Sequence, residues 1–302
     1  MVNTYLQLLR TSHWIKNAFI FAGLIFGRRL SGPVHQAAHA VWQASMAFAA
    51  FCAASSAVYV FNDILDRHYD QLHPWKRSRP LASGQVQVRE AAMLAIGLAG
   101  LGILTGMLVR WQVAILIVAY IVLMVLYTLV LRRVMILDCM VISLGVCLRA
   151  AAGAVAVGVA ISPWLMICTF ALSLFVAFGK RRAEVTQLGD GGSAYRQVLA
   201  DYSPELLGHM LDVTSGLAII CFLLYAMDQR TAGLFGTNAL VYTVPLVLFC
   251  VFRFSAAMQS GRYPDPVGFI LRDRPFQIAG LAWVAACAVV VYGGYAIKGW
   301  FR

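Results

Sequence analysis

Charge is scarce in this chain, and negative charge most of all: 12% of the residues are charged, with 13 acidic against 24 basic. A soluble domain carries about 25% charged residues, so composition excludes an ordinary water-facing surface. Cysteine pairs are also missing. Cys52, Cys139, Cys147, Cys168, Cys221, Cys250 and Cys287 stand singly in apolar stretches, without the spacing of a disulfide framework or thiolate metal site. Packing is their expected role. Low-complexity segments and internal repeats are absent, which disfavours the inverted-repeat architecture of many secondary transporters. The first apolar stretch after Lys16 runs into Gly27-Arg28-Arg29 rather than a small-residue cleavage site, so a retained span is expected there instead of a signal segment.

What the chain has in abundance is apolar sequence, 61% of its residues, with a mean hydropathy of +0.76. Charge-free runs cover 30–62, 91–109, 111–131, 150–179, 231–252 and 275–297, and most reach the ~20 residues that a helix needs to cross a bilayer. Shorter apolar segments at 17–27, 136–157 and 206–227 bring the expected number of spans to about nine. The expected fold is all-α, a polytopic membrane helix bundle with cytoplasmic cap loops, organised as a single transmembrane catalytic domain over residues 1–302.

The net charge of +11 is explained by topology rather than by nucleic acid, which is not an expected partner. With the N-terminus inside, the outer segments carry Arg28, Arg29, Arg110, Arg230, Lys298 and Arg302, and Arg149 falls within a span. The other 17 basic residues lie on inner segments. This asymmetry obeys the positive-inside rule and places the chain in the cell inner (plasma) membrane. Only Asp228 among the acidic residues is clearly outside. The long polar loops 70–88, 181–204 and 254–274 are also inner, so the cytoplasmic face is the expected working face.

The most specific signal is Asn62-Asp63-Ile64-Leu65-Asp66-Arg67-His68-Tyr69-Asp70. On a continuing helix Asp63, Asp66 and Asp70 share one face, with Tyr59 and Ser56 deeper along it. Three carboxylates there make a hard-cation site. Mg²⁺ is usually held by one or two carboxylates plus substrate phosphates, so a metal-bound diphosphate is the expected ligand; the bland alternative is an acidic helix end paired with arginines. His73-Pro74-Trp75-Lys76-Arg77-Ser78-Arg79-Pro80 follows, and Lys76, Arg77 and Arg79 suit diphosphate oxygens or, more simply, topology. His68 and His73 are expected to be polar loop residues. Further along, Lys180 and Glu184 share a helix face after Gly179; with Arg181 they suit either phosphate binding or a span-ending cluster that complements the helix dipole. Asp138 and Arg149 lie eleven residues apart on nearly the same face. Arg149 is therefore deep in the membrane and needs an anionic partner, from Asp138, Asp212 or a substrate. Gly145 and Gly153 on that face permit close approach of a helix or ligand.

The N-D-x-x-D-x-x-x-D cluster followed by Arg79-Pro80-Leu81-Ala82-Ser83-Gly84 resembles the UbiA superfamily of intramembrane prenyltransferases. Arg10-x-x-x-Trp14-x-Lys16-Asn17, the His73–Pro80 loop, Asp138 with Arg149, Gly179-Lys180-Arg181 with Glu184, and Leu271-Arg272-Asp273-Arg274 look like its decaprenyl-phosphate phosphoribosyltransferase branch. The resemblance implies Mg²⁺, with Mn²⁺ as a substitute, held by Asp63, Asp66, Asp70 and Asn62. It implies substrate contacts from Lys16, Tyr59, Lys76, Arg77, Arg79, Asp138, Arg149, Lys180, Arg181 and Glu184. The implied donor is 5-phosphoribosyl 1-diphosphate and the acceptor a polyprenyl phosphate drawn from the lipid bilayer; a homo-oligomer is compatible with this reading.

Two other readings stand at this point. A prenyltransferase acting on an aromatic ring would use the same acidic helix, but such enzymes usually carry a second aspartate-rich motif where this chain has Gly179–Glu184. A lipid carrier or transporter without chemistry would use Asp138 and Arg149 as a gating pair and leaves the aspartate cluster unexplained.

Overall fold

The computed structural model of this chain describes residues 2–72, 76–188, 197–263 and 265–297; His73, Pro74 and Trp75 of the basic loop lie outside them. Every regular element among the described residues is helical. Eight of them are long and apolar enough to cross a membrane, with windows of mean hydropathy between 1.6 and 2.5. We label them α1 (Val34–Leu65), α2 (Val88–Val109), α3 (Trp111–Leu129), α4 (Leu137–Ala156), α5 (Pro163–Leu188), α6 (Pro204–Met227), α7 (Val244–Gln259) and α8 (Arg274–Ile297). A 3₁₀ turn, Ala239–Thr243, leads into α7. The protein is a multi-pass membrane protein. Its chain divides into two compact units, Met1–Val134 with Leu144–Ala160, and Met135–Ser143 with Ile161–Arg302.

In the first unit, α1 turns a line of small residues inward. Ala44, Ala47, Ala50 and Ala54 have at most 1% of their surface exposed. A Cβ on Gly102 of α2 would sit 2.8 Å from the Ala50 carbonyl, so backbone meets backbone, as helices do in lipid where small residues favour close packing.

The expected first span, 17–27, is not a long helix. Residues Thr11–Ile20 form a 3₁₀ helix and Phe21–Phe26 a short α-helix. At ~2.0 Å and ~1.5 Å per residue respectively, Thr11–Phe26 still covers about 29 Å, roughly a hydrocarbon thickness. It runs antiparallel to α1: Trp14 Nε1 donates to Ser56 Oγ at 3.1 Å, and Leu24 packs with Ala40 and Ala44. Beside it on α4, a Cβ on Gly153 would lie 1.9 Å from the Ile20 carbonyl oxygen. The expected close approach at Gly153 is therefore a helix contact.

The second unit has an aromatic core. Phe254 packs against Phe175 and Phe269, and Phe269 in turn meets Tyr263 and Phe276. Gly179 leaves room for the Phe254 ring, which would stand 2.6 Å from a Cβ there. The span expected to end at Gly179 continues to Leu188 as α5. Lys180 therefore sits two turns inside a helix and does not complement its last carbonyls. The seven cysteines are unpaired and buried or half-buried, in keeping with a packing role.

Candidate active site

The aspartate cluster lies in the first unit at the C-terminal end of α1. The helix does not continue through it: Asp66 caps α1, and a short helix, Arg67–Leu72, follows. The three carboxylates consequently divide. Asp63 and Asp70 converge on one guanidinium, with Arg79 Nη1 at 3.2 Å from Asp63 Oδ1 and 2.6 Å from Asp70 Oδ2. Asp66 turns to Arg132, whose Nη1 and Nη2 grip its two oxygens at 2.8 and 2.7 Å while Nη1 also reaches Asn62 Oδ1 at 3.2 Å. This fork raises the already high pKa of Arg132. Asp63 also accepts from Arg10.

Local sequence explains how Arg79 reaches the carboxylates. Leu81 is buried with Leu8, Val60 and Val86, which pins the loop to the helices. Gly84 takes the left-handed conformation (φ +79°) that a side chain disfavours, and Gln87 with Glu90 forms a capping box that starts α2. Pro80 cannot donate a hydrogen bond, and its carbonyl accepts from Val86 N at 3.2 Å. Arg10 is likewise held at φ +50°, where the chain leaves helix Val2–Leu9; such strain in a non-glycine residue collects at functional sites. Arg77 is exposed, and Lys76 lies half-buried in the 3₁₀ turn Lys76–Ser78.

Of these residues Arg10, Asp63 and Arg79 line a cavity of about 630 Å³, which Gln7, Thr11, Ser12, His13 and Ser78 also border. Asp63 and Asp70 are only 3% and 4% exposed, and a buried carboxylate pair sharing one cation nitrogen marks a position for positive charge. Among the described residues no three His, Cys, Asp or Glu side chains converge as a metal cage. Two carboxylates fit Mg²⁺ nonetheless, because that ion takes one or two carboxylates and completes its shell with water and phosphate. His68 is not part of such a group.

Deeper in the same unit, Arg149 is 5% exposed. Its Nε donates to Asn17 Oδ1 at 2.7 Å, Nη2 to the Tyr120 hydroxyl at 2.8 Å, and Nη1 to the Gly145 carbonyl at 2.9 Å. All three acceptors are neutral. Neither Asp138 nor Asp212 is among its partners in the described residues, so neither of the two carboxylates considered from the sequence pairs with it. Arg10, Lys16 and Arg149 all stand near Tyr59, and the Arg10 guanidinium lies 5.1 Å from the centre of that ring. Lys16 has no carboxylate partner among the described residues.

Asp138 finds its partners in the second unit. It is fully buried and accepts from Arg181 Nε at 2.7 Å and from the Tyr202 hydroxyl at 2.8 Å. That hydroxyl in turn accepts from the backbone N–H of Ile136 at 2.7 Å, a β-branched residue held at φ +68°. Burial and the neighbouring Cys139 and Asp138 push the Tyr202 phenol well up. Arg181 is 1% exposed and also reaches Glu184 Oε2 at 2.5 Å, whereas Lys180 is the open member, 39% exposed and 3.6 Å from Glu184 Oε1. Arg253 forks onto Asp273 at 3.1 and 3.0 Å, and this bond holds the Asp273 carboxyl below the usual range.

Several of these partners escape the sequence motifs. Arg132 reads there only as topology, Tyr202 sits in a polar loop with no periodicity, and Tyr120 is signalled only by its hydroxyl in an otherwise apolar span.

Residues 18–270 match the UbiA prenyltransferase family. The decaprenyl-phosphate phosphoribosyltransferase of Mycolicibacterium smegmatis is 30% identical, covering 97% of this chain and 93% of that protein. Its namesake in Corynebacterium glutamicum is 30% identical over 95% of this chain and 86% of its own length. Among solved structures, a UbiA homolog from Archaeoglobus fulgidus bound to GPP and Mg²⁺ shares the fold, with a TM-score of 0.70 at 19% identity, covering 95% of this chain and 99% of that one.

Proposed function

Since this chain belongs to the UbiA prenyltransferase family, we propose that it acts as one catalytic domain that transfers 5-phosphoribose from 5-phosphoribosyl 1-diphosphate to a polyprenyl phosphate. The products are polyprenyl-phosphoribose and diphosphate. The observation that carries this reading is the buried Asp63–Arg79–Asp70 bridge, with Arg10 beside it, at the wall of a cavity large enough for a sugar diphosphate. The names of the relatives supply the substrate class.

Asp63 and Asp70 would hold Mg²⁺, with Asp66 and Asn62 next to them. The UbiA homologs solved with Mg²⁺ or Cd²⁺ support a divalent ion here. The chemistry such an ion would supply is neutralising charge for the diphosphate. Arg79, Arg10 and the exposed Arg77 supply the remaining positive charge around that group. An oxygen of the acceptor phosphate is already anionic and needs no strong general base, so the protein mainly positions reactants. That oxygen bonds to ribose C1 as the bond from C1 to the diphosphate oxygen breaks, inverting the anomeric centre from α to β. Lys16, Tyr59 and Arg149 form the subsite for the acceptor phosphate. The basic inner loops support a cytoplasmic position for this chemistry in the plasma membrane.

The test is to incubate purified protein with 5-phosphoribosyl 1-diphosphate and decaprenyl phosphate, then measure the new lipid and released diphosphate. Both should appear, and excess chelator should abolish them. A prenylated aromatic product from prenyl diphosphate, or no product with Mg²⁺ present, would sink the assignment.

A further inference from the structure

The first unit carries a second concentration of positive charge, far from Asp63. Arg29, in the link before α1, donates to the carbonyl of Gly158, just past the end of α4. Arg110, the single residue between α2 and α3, comes to the same place. If Gly158 bore a Cβ, Arg110 Nη2 would be 3.0 Å from it and Arg29 Nη2 3.2 Å. Two exposed guanidinium groups therefore flank one point, and no carboxylate pairs with either among the described residues. Gly158 is held at φ +68°, so the turn itself favours the residue that leaves this space open. The site lies at the N-terminal end of α1, about 44 Å along that helix from Asp63 at 1.5 Å per residue. These two arginines also count among the few basic residues on the outer segments, where topology gives no reason for them.

An apolar groove begins beside the same turn. It has a volume of about 400 Å³ and is lined by Ile103, Met107, Trp111, Ala114, Ile115 and Val118. Trp111 directly follows Arg110, and the groove descends between α2 and α3 for about 12 Å, the rise of eight helical residues. Trp111 is 60% exposed, Met107 59% and Ile115 54%, so these side chains face outward toward lipid. Tryptophan settles at the boundary between hydrocarbon and headgroups, which puts the two arginines at headgroup level and the groove at acyl-chain level.

We propose that this corner of the first unit binds an anionic phospholipid of the bilayer, its phosphate between Arg29 and Arg110 and one acyl chain in the groove between α2 and α3. The paired charge selects an anion, and the groove beneath selects one that carries a chain. Basic pockets at helix ends recognise lipid headgroups by this chemistry.

Native mass spectrometry of the purified full-length protein, titrated with dioleoyl phosphatidylglycerol, dioleoyl phosphatidylcholine, decaprenyl phosphate or inorganic phosphate, tests the site. Phosphatidylglycerol should bind in preference to phosphatidylcholine. The double variant R29Q/R110Q should weaken it about thirtyfold, as expected for two basic contacts with an anionic headgroup. Met107→Trp, which keeps both arginines and fills the groove, should weaken the dioleoyl lipid but spare dihexanoyl phosphatidylglycerol; it and the wild-type comparison decide the matter if the double variant does not fold. Equal binding of the two dioleoyl lipids, or unchanged affinity in either variant, would overturn the proposal. So would displacement of phosphatidylglycerol by inorganic phosphate, which indicates a simple anion site, or by decaprenyl phosphate, which indicates a site for substrate lipid.

Discussion

Asp63→Asn is expected to lower kcat by about 10³-fold, the scale on which removal of one preorganised charge contact acts, while the protein still inserts and folds. The amide keeps the shape of the carboxylate and one acceptor oxygen for Arg10 and Arg79, so the change removes charge rather than packing. Asp63→Ala is the poorer test. Asp63 is 3% exposed and shared by two guanidinium groups, and emptying it leaves Arg79 with Asp70 alone and takes from Arg10 its ion pair, with a stability loss of a few kcal/mol. Initial rates at saturating donor and lipid, on protein whose thermal unfolding in detergent matches wild type, provide the measurement. Turnover within a few fold of wild type would show that the Asp63–Arg79–Asp70 bridge is a structural ion pair and that the diphosphate binds elsewhere.

Arg149→Lys is the second large effect, a loss of about a hundredfold in kcat/KM for the lipid substrate. The three partners of Arg149 lie in three directions: the Asn17 amide oxygen, the Tyr120 hydroxyl and the Gly145 carbonyl. A planar guanidinium reaches all three, whereas an ammonium on a flexible stem does not hold that geometry. None of the three is charged, so the cation has no counter-charge among these partners, and Lys16 and Arg10 near Tyr59 add to the local positive charge. The acceptor phosphate of the proposed reaction would supply that counter-charge. The defect should appear in the lipid KM and kcat and spare the donor KM. A variant that unfolds at lower temperature yet keeps wild-type lipid kinetics would make Arg149 a strut between the 3₁₀ segment, α3 and α4.

The Asp63 and Arg149 sites differ in how far the sequence discloses them. Asp63, Asp66 and Asp70 are close in sequence, and helical spacing suffices to single them out. It does not foresee that α1 stops at Leu65, which sends Asp66 to Arg132 while Asp63 and Asp70 share Arg79. Arg149 stands out for the opposite reason, as a charge alone in an apolar run. Its partners come from residues 17, 120 and 145, and no spacing rule connects them. Asp138 and Arg181 likewise read separately as a lipid-phase acid and a phosphate-binding base, but they neutralise each other across 43 residues.

By itself, the sequence determined the all-helical membrane architecture, the location of most spans and the family, because hydropathy over some twenty residues and a motif within nine are local properties that no distant contact can reverse. Which charges pair with one another is settled only in three dimensions. In a medium with little water each buried ion must find a partner, and that choice depends on which helices pack together. Arg181, Arg132 and Asp66 are consequently paired with opposite charges inside the protein, whereas the partners of Arg149 are all neutral.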